Sequence, residues 1–149
     1  MRPTFRRAVG WFLFGVCIIW VATGCSRDDK FVPVKGRVTL NGQPLPAAGS
    51  GIAFIPDTAK GNTSPHEPRG QLTATGEFEL STANQSGAPP GWYKVLVLAH
   101  SEPSSAKDPY AVPKWMVPTD YTRADKTPLS VEVVAKPPAG AYDFDVKKK

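Results

Sequence analysis

The sequence predicts an all-β fold, a two-layered sandwich of seven strands, and three observations carry that prediction. Helix signals are nearly absent after residue 25, so strand alternation meets little competition from a 3.6-residue period. Glycine and proline, 13 and 16 residues, make about a fifth of the chain and fall as turn chemistry between short apolar runs. The runs themselves alternate with period two, which sends successive side chains to opposite faces of a sheet. With 41% hydrophobic residues, the chain has the apolar mass to bury a core.

The first 25 residues stand apart. Arg2, Arg6 and Arg7 form a positive start, residues 8–22 an apolar run of 15, and Cys25 follows the small residue Gly24. A membrane-spanning helix needs roughly 20 apolar residues, so the run fits an export signal. Val21-Ala22-Thr23-Gly24-Cys25, followed by polar residues 26–30, resembles the bacterial lipobox, whose cysteine is lipidated and becomes the mature N-terminus. The resemblance implies a lipoprotein signal peptide over 1–24, a short tether over 25–30 from lipidated Cys25, and a β-domain over 31–149. An uncleaved anchor helix is the rival reading. Either one exports the domain and ties it to a membrane at the cell envelope. Cys17 lies in the apolar run, so the exported domain contains no thiol and no disulfide.

Within the domain, residues 31–40 place Val34, Val38 and Leu40 on one face, and Asn41-Gly42 signals a type I′ hairpin. Residues 51–56 are expected as its return strand, stopped by Pro56, and residues 57–69 as a polar loop. Residues 71–75 and 77–82 pair around Gly76, with Leu72, Ala74, Phe78 and Leu80 inward and Glu77 and Glu79 outward. The chain is organised around the strand that follows Pro89-Pro90-Gly91 and runs to His100. Tyr93, Val95, Val97 and Ala99 share its inward parity. Trp92, Lys94, Leu96 and Leu98 make an unusually apolar second face, which predicts a central strand partly covered on both sides. Residues 129–133 and 142–146 complete the set, joined through Lys136-Pro137-Pro138-Ala139-Gly140. Seven strands at this rhythm are those of an immunoglobulin-like sandwich, without its Cys-Trp-Cys signature.

Residues 101–126 form a connection of 26 residues, and loops beyond about 15 tend to carry function or structure of their own. This one contains Tyr110, Trp115, Met116 and Tyr121, and is expected to fold across Leu96 and Leu98. Trp92, Tyr110, Trp115 and Tyr121 are the candidates for a recognition surface, because aromatic rings bury large area at low entropic cost. The alternative use for them is to cap the core.

Val34-x-Gly36-x-Val38-x3-Gly42-x-Pro44-Leu45 resembles the opening of carboxypeptidase-regulatory-like domains, which share the transthyretin-like (prealbumin-like) sandwich. Gly51-x-x-Phe54-x-Pro56, Thr75-Gly76-x-Phe78-x-Leu80 and Pro90-Gly91-x-Tyr93-x-Val95 continue the pattern. Val117-Pro118-x-x-Tyr121 and Tyr142-x-Phe144-x-Val146 are similar to a version common in planctomycete lipoproteins. The resemblance covers residues 31–147 and implies a seven-stranded β-sandwich that is not usually enzymatic.

Charge argues against nucleic acid. Arg2, Arg6 and Arg7 lie in the leader, which leaves 15 basic against 13 acidic residues, and only Lys147, Lys148 and Lys149 form a run. His66 and His100 could reach Glu67, Glu102 or Asp108, but no pair has tight metal-ligand spacing, so no metal and no cofactor are expected. No Gly-x-Ser-x-Gly elbow or glycine-rich phosphate loop is present. Transthyretin-like hydrolases resemble the chain only in fold, since their C-terminal Tyr-Arg-Gly-Ser is absent. An intramolecular bond from Lys35 or Lys60 lacks its asparagine on the last strand, where Asp143 and Asp145 read as a solvated face. The expectation is a lipid-anchored, non-catalytic binding or structural module with an unknown protein or glycan partner. Its rivals are a sugar or peptide binder using the 101–126 loop, and a hydrolase.

Overall fold

A computed structural model describes residues 31–45, 50–100 and 114–148. In chain order its strands are β1 (Lys35–Leu40), β2 (Gln43–Pro44), β3 (Gly51–Pro56), β4 (Arg69–Gln71), β5 (Glu77–Glu79), β6 (Ser81–Thr82), β7 (Gln85–Ser86), β8 (Gly91–Leu98), β9 (Ser130–Val133) and β10 (Phe144–Val146). The fold is all-β, in two sheets. In one, β1 pairs in parallel with β10, and its other edge is shared by β5 and β2. The second has the order β7-β6-β4-β3-β8-β9.

A cluster of four aromatic rings joins the sheets. Phe54 and Tyr93 come from β3 and β8, Phe78 and Phe144 from β5 and β10. The Phe54 ring lies 5.7 Å from Tyr93, 6.0 Å from Phe144 and 6.4 Å from Phe78, and Phe78 stacks on Phe144. Tyr93, Val95, Val97 and Ala99 are fully buried, as their parity predicts. β8 is central, between β3 and β9, and its Trp92, Leu96 and Leu98 are half-buried.

Backbone proximity explains two glycines of the sequence pattern. A Cβ on Gly36 would sit 2.1 Å from the Tyr142 carbonyl oxygen, and one on Gly76 2.3 Å from that of Val38. Gly76 also has a φ of 77°, which a side chain rarely tolerates. These glycines let β10 and the β4–β5 turn close onto β1.

Several expectations are corrected. Residues 51–56 are not the return strand of the Asn41-Gly42 hairpin. Asn41 and Gly42 have φ of 50° and 79°, the left-handed pair of a type I′ turn, and such a turn returns the chain at once. β2 therefore takes that place, with Leu40 opposite Gln43. β3 buries Ile52, Ala53 and Phe54 in succession, which suits a central position covered on both faces. Ala74 is exposed rather than inward, because the turn begins at Thr73, whose carbonyl accepts the Gly76 N–H at 2.9 Å. The polar loop over 57–69 contains a 3₁₀ turn, Thr58–Lys60, and gives its last residue to β4.

Asp143 and Asp145 are more than a solvated face. Asp143 accepts the Arg37 N–H at 3.0 Å. Asp145 accepts Thr39 Oγ1 at 2.8 Å and the Gly42 N–H at 2.9 Å, and is paired with Lys147. The two carboxylates fasten β10 to β1 and its hairpin. The Lys147 ammonium, with the Gly42 and Thr39 donors, holds the Asp145 carboxyl down at about 2. A depressed folded-state value means that this contribution is present above the ordinary aspartate range and is lost as pH falls toward 2. Thermal melts between about pH 5 and pH 2 should therefore show wild type losing more stability than Asp145→Asn. Parallel curves for the two proteins would contradict the latch.

Candidate binding pocket

The described part of the long connection is tied to β8 at both ends. The Met116 N–H donates to the Ala99 carbonyl at 2.9 Å, and Trp115 forms an isolated bridge with His100. At the far end, buried Thr127 donates its hydroxyl to the Val95 carbonyl at 2.7 Å. Between these ties, Pro118 leads into a 3₁₀ turn, Thr119–Thr122, closed by the Tyr121 N–H on the Pro118 carbonyl at 3.0 Å.

This geometry divides the aromatic side chains. Val117 and Tyr121 belong to the core, and the Tyr121 hydroxyl oxygen accepts the Lys147 N–H at 3.2 Å. Trp115 is 50% exposed. One face of its indole stacks on the His100 imidazole, centroids 5.7 Å apart and planes 24° apart. The indole borders a pocket of about 550 Å³ that is also lined by Val117, Pro118, Tyr121 and Pro128. Lys126, Lys147, Lys148 and Asp120 complete the lining. Lys147 is engaged by Asp145, whereas Lys126 and Lys148 have no ion pair among the described residues. The lining combines these apolar residues with an excess of positive charge.

Residues 101–113, half of the segment expected to cover Leu96 and Leu98, lie outside the described residues. Val117 and Tyr121 join Val95 and Val97 in the core, on the inward parity of β8, and Trp115 faces the pocket. Tyr110, Glu102 and Asp108 lie outside the described residues.

Trp92 is separated from this group. It stands at the start of β8, where the Lys60 ammonium lies 3.7 Å from its ring centre and donates to Ser130 Oγ at 3.1 Å. That contact covers the ring with a cation. The four aromatic candidates therefore do not form one surface: Trp115 and Tyr121 meet, and Trp92 does not join them.

Both histidines meet aromatic rings. His66 lies 6.0 Å from Phe31, while the buried Nδ1 of His100 has no hydrogen-bond partner among the described residues. Among those residues no group of three His, Cys, Asp or Glu is placed to hold a metal ion, and no helix is long and apolar enough to cross a membrane.

A larger open depression, about 780 Å³, overlies the outer face of β1 and β5. Its charges already answer one another. Lys35 pairs with Glu79 at 3.0 Å and Arg37 with Glu77 at 2.8 Å, each across the strand register. The Arg37 guanidinium holds the Glu77 carboxyl below its usual range, and the Ser86 hydroxyl, with Lys35, does the same for Glu79. The ladder has little free charge to offer a ligand.

Lys126, Lys147 and Lys148 are the pocket residues that sequence reasoning missed. In the sequence the terminal lysines are only a charged run, because nothing local reveals that β10 docks in parallel beside β1. That docking carries Lys147 to Tyr121, and Lys148 to Asn41, whose Oδ1 accepts its N–H at 3.1 Å. Comparison with known proteins finds no matching family model, no similar curated protein and no similar solved structure.

Proposed function

We propose that this chain is an exported, lipid-anchored binding module without catalytic activity, built on an immunoglobulin-like sandwich of the transthyretin type. The observation that carries the binding role is the half-exposed indole of Trp115 at the edge of a 550 Å³ pocket, with Lys126 and Lys148 making no ion pair among the described residues. An exposed tryptophan in a concave, partly apolar site is costly to leave unused, and such sites are the usual places of recognition. Support for the anchor comes from the sequence alone, from Arg2, Arg6 and Arg7, the apolar run and Gly24-Cys25. The sandwich type rests on the spacing of Gly36, Gly76 and Phe54 and on the cross-sheet packing they permit.

Metabolic labelling with palmitate tests the anchor. Wild type should take up label, and Cys25→Ala should lose it and accumulate as an unprocessed precursor. Normal processing of Cys25→Ala would sink the lipoprotein reading. Affinity capture of the intact lipoprotein from its own membranes tests the binding role, which requires a reproducible partner.

A further inference from the structure

We infer that the Trp115–Tyr121 pocket takes an acidic glycan held away from the anchoring membrane, an inference that rests on the tethered binding-module reading. The first support is position. The domain's N-terminal segment joins the body where Val32 and Ala88 exchange backbone hydrogen bonds of 2.8 and 2.9 Å, three residues before β8 begins. Trp115 is bridged to His100, just past the other end of β8. The eight residues of that strand, at about 3.3 Å each, separate the two ends by about 25 Å. On the tethered reading the chain enters the domain at residue 31, so the Val32 end is the one nearer the bilayer. The pocket then lies at the end of the domain away from the tether.

Charge selects an anion. Among the described residues, Lys126 and Lys148 are cations without ion pairs and Asp120 is the one carboxylate lining the pocket. Shape then selects a sugar over an acidic peptide. The apolar part of the site is the half-exposed indole of Trp115, stacked on His100, with Pro118 and Pro128 also lining the pocket. A uronic acid ring offers a flat C–H face for the indole and a carboxylate for a lysine on the same unit. An aspartate or glutamate side chain has its charge but no such face.

The test titrates the full chain, purified in neutral detergent, with a hexameric oligogalacturonate. A neutral hexasaccharide, polyglutamate and micelles containing phosphatidylglycerol serve as competing ligands. The oligogalacturonate should bind best and be released by about 0.5 M salt, which shortens screening to a few ångströms. Trp115→Ala and Lys126→Glu/Lys148→Glu should each weaken it about tenfold or more, the equivalent of one or two good contacts. Lys136→Glu should leave it unchanged, since Lys136 is exposed beyond β9 at the Val32 end. Far-ultraviolet spectra of the variants establish that they are folded. Equal binding of the neutral sugar, tighter binding of polyglutamate or the anionic micelles, or equal weakening by Lys136→Glu would overturn the inference. So would a failure to bind oligogalacturonate at all. If Trp115→Ala still abolishes capture of the native partner in that case, the glycan assignment falls and the binding-module reading stands.

Discussion

Replacing Phe54 with alanine is expected to remove about 3–5 kcal/mol of stability, the range for truncating a buried phenylalanine. Phe54 is fully buried, and it is the ring that touches partners on both sheets: Tyr93 on its own, Phe78 and Phe144 on the other. Removal leaves a void between two layers that cannot close independently. Phe144 is pinned by the parallel β1–β10 ladder, and Tyr93 by its hydroxyl bond to the Pro89 carbonyl at 2.8 Å. A domain of this size has about 5–15 kcal/mol in total, so the variant should be marginal. Its melting temperature should fall by about 10 °C or more. A fall of only a few degrees would mean that the sheets do not depend on this cluster.

Such packing was partly legible in the sequence. Parity in β8 identifies Tyr93, Val95, Val97 and Ala99 as core, because a strand admits only two faces and the alternation there is unbroken. The Asn41-Gly42 turn was legible for the same local reason, since both residues tolerate positive φ. Pairing across long separations was not. Nothing in residues 142–146 announces that they lie parallel to β1, a hundred residues earlier, and Asp143 and Asp145 consequently read as solvent-facing rather than as a latch. The partner of the Asn41-Gly42 turn was misjudged because β2 has only two residues, too few to show a period.

The pocket was legible in half. Aromatic content singles out Trp115 and Tyr121, and the structure brings them to one site. Composition alone could not separate them from Trp92, whose ring is covered by Lys60 from a neighbouring turn. Nor could it foresee that Tyr121 serves the core while Trp115 stays exposed. That split follows from the 3₁₀ turn, which directs Tyr121 inward while Trp115 is fixed by its bridge to His100.

Trp115→Ala should therefore separate stability from recognition. A half-exposed side chain whose main partner is one stacked imidazole contributes little to folding. Its loss should leave the melting temperature within about 4 °C of wild type, in keeping with surface substitutions. The same ring lines the pocket, so its loss should remove most of the partner affinity. Aromatic anchors of a binding site commonly carry about 2 kcal/mol or more each. The decisive measurement compares full-length wild type and Trp115→Ala side by side, by melting temperature and by capture of partners from the protein's own membranes. The account predicts a nearly unchanged melting temperature with capture reduced at least about tenfold. A steep loss of stability with capture intact would make Trp115 a structural residue and contradict the assignment of the pocket as the binding site.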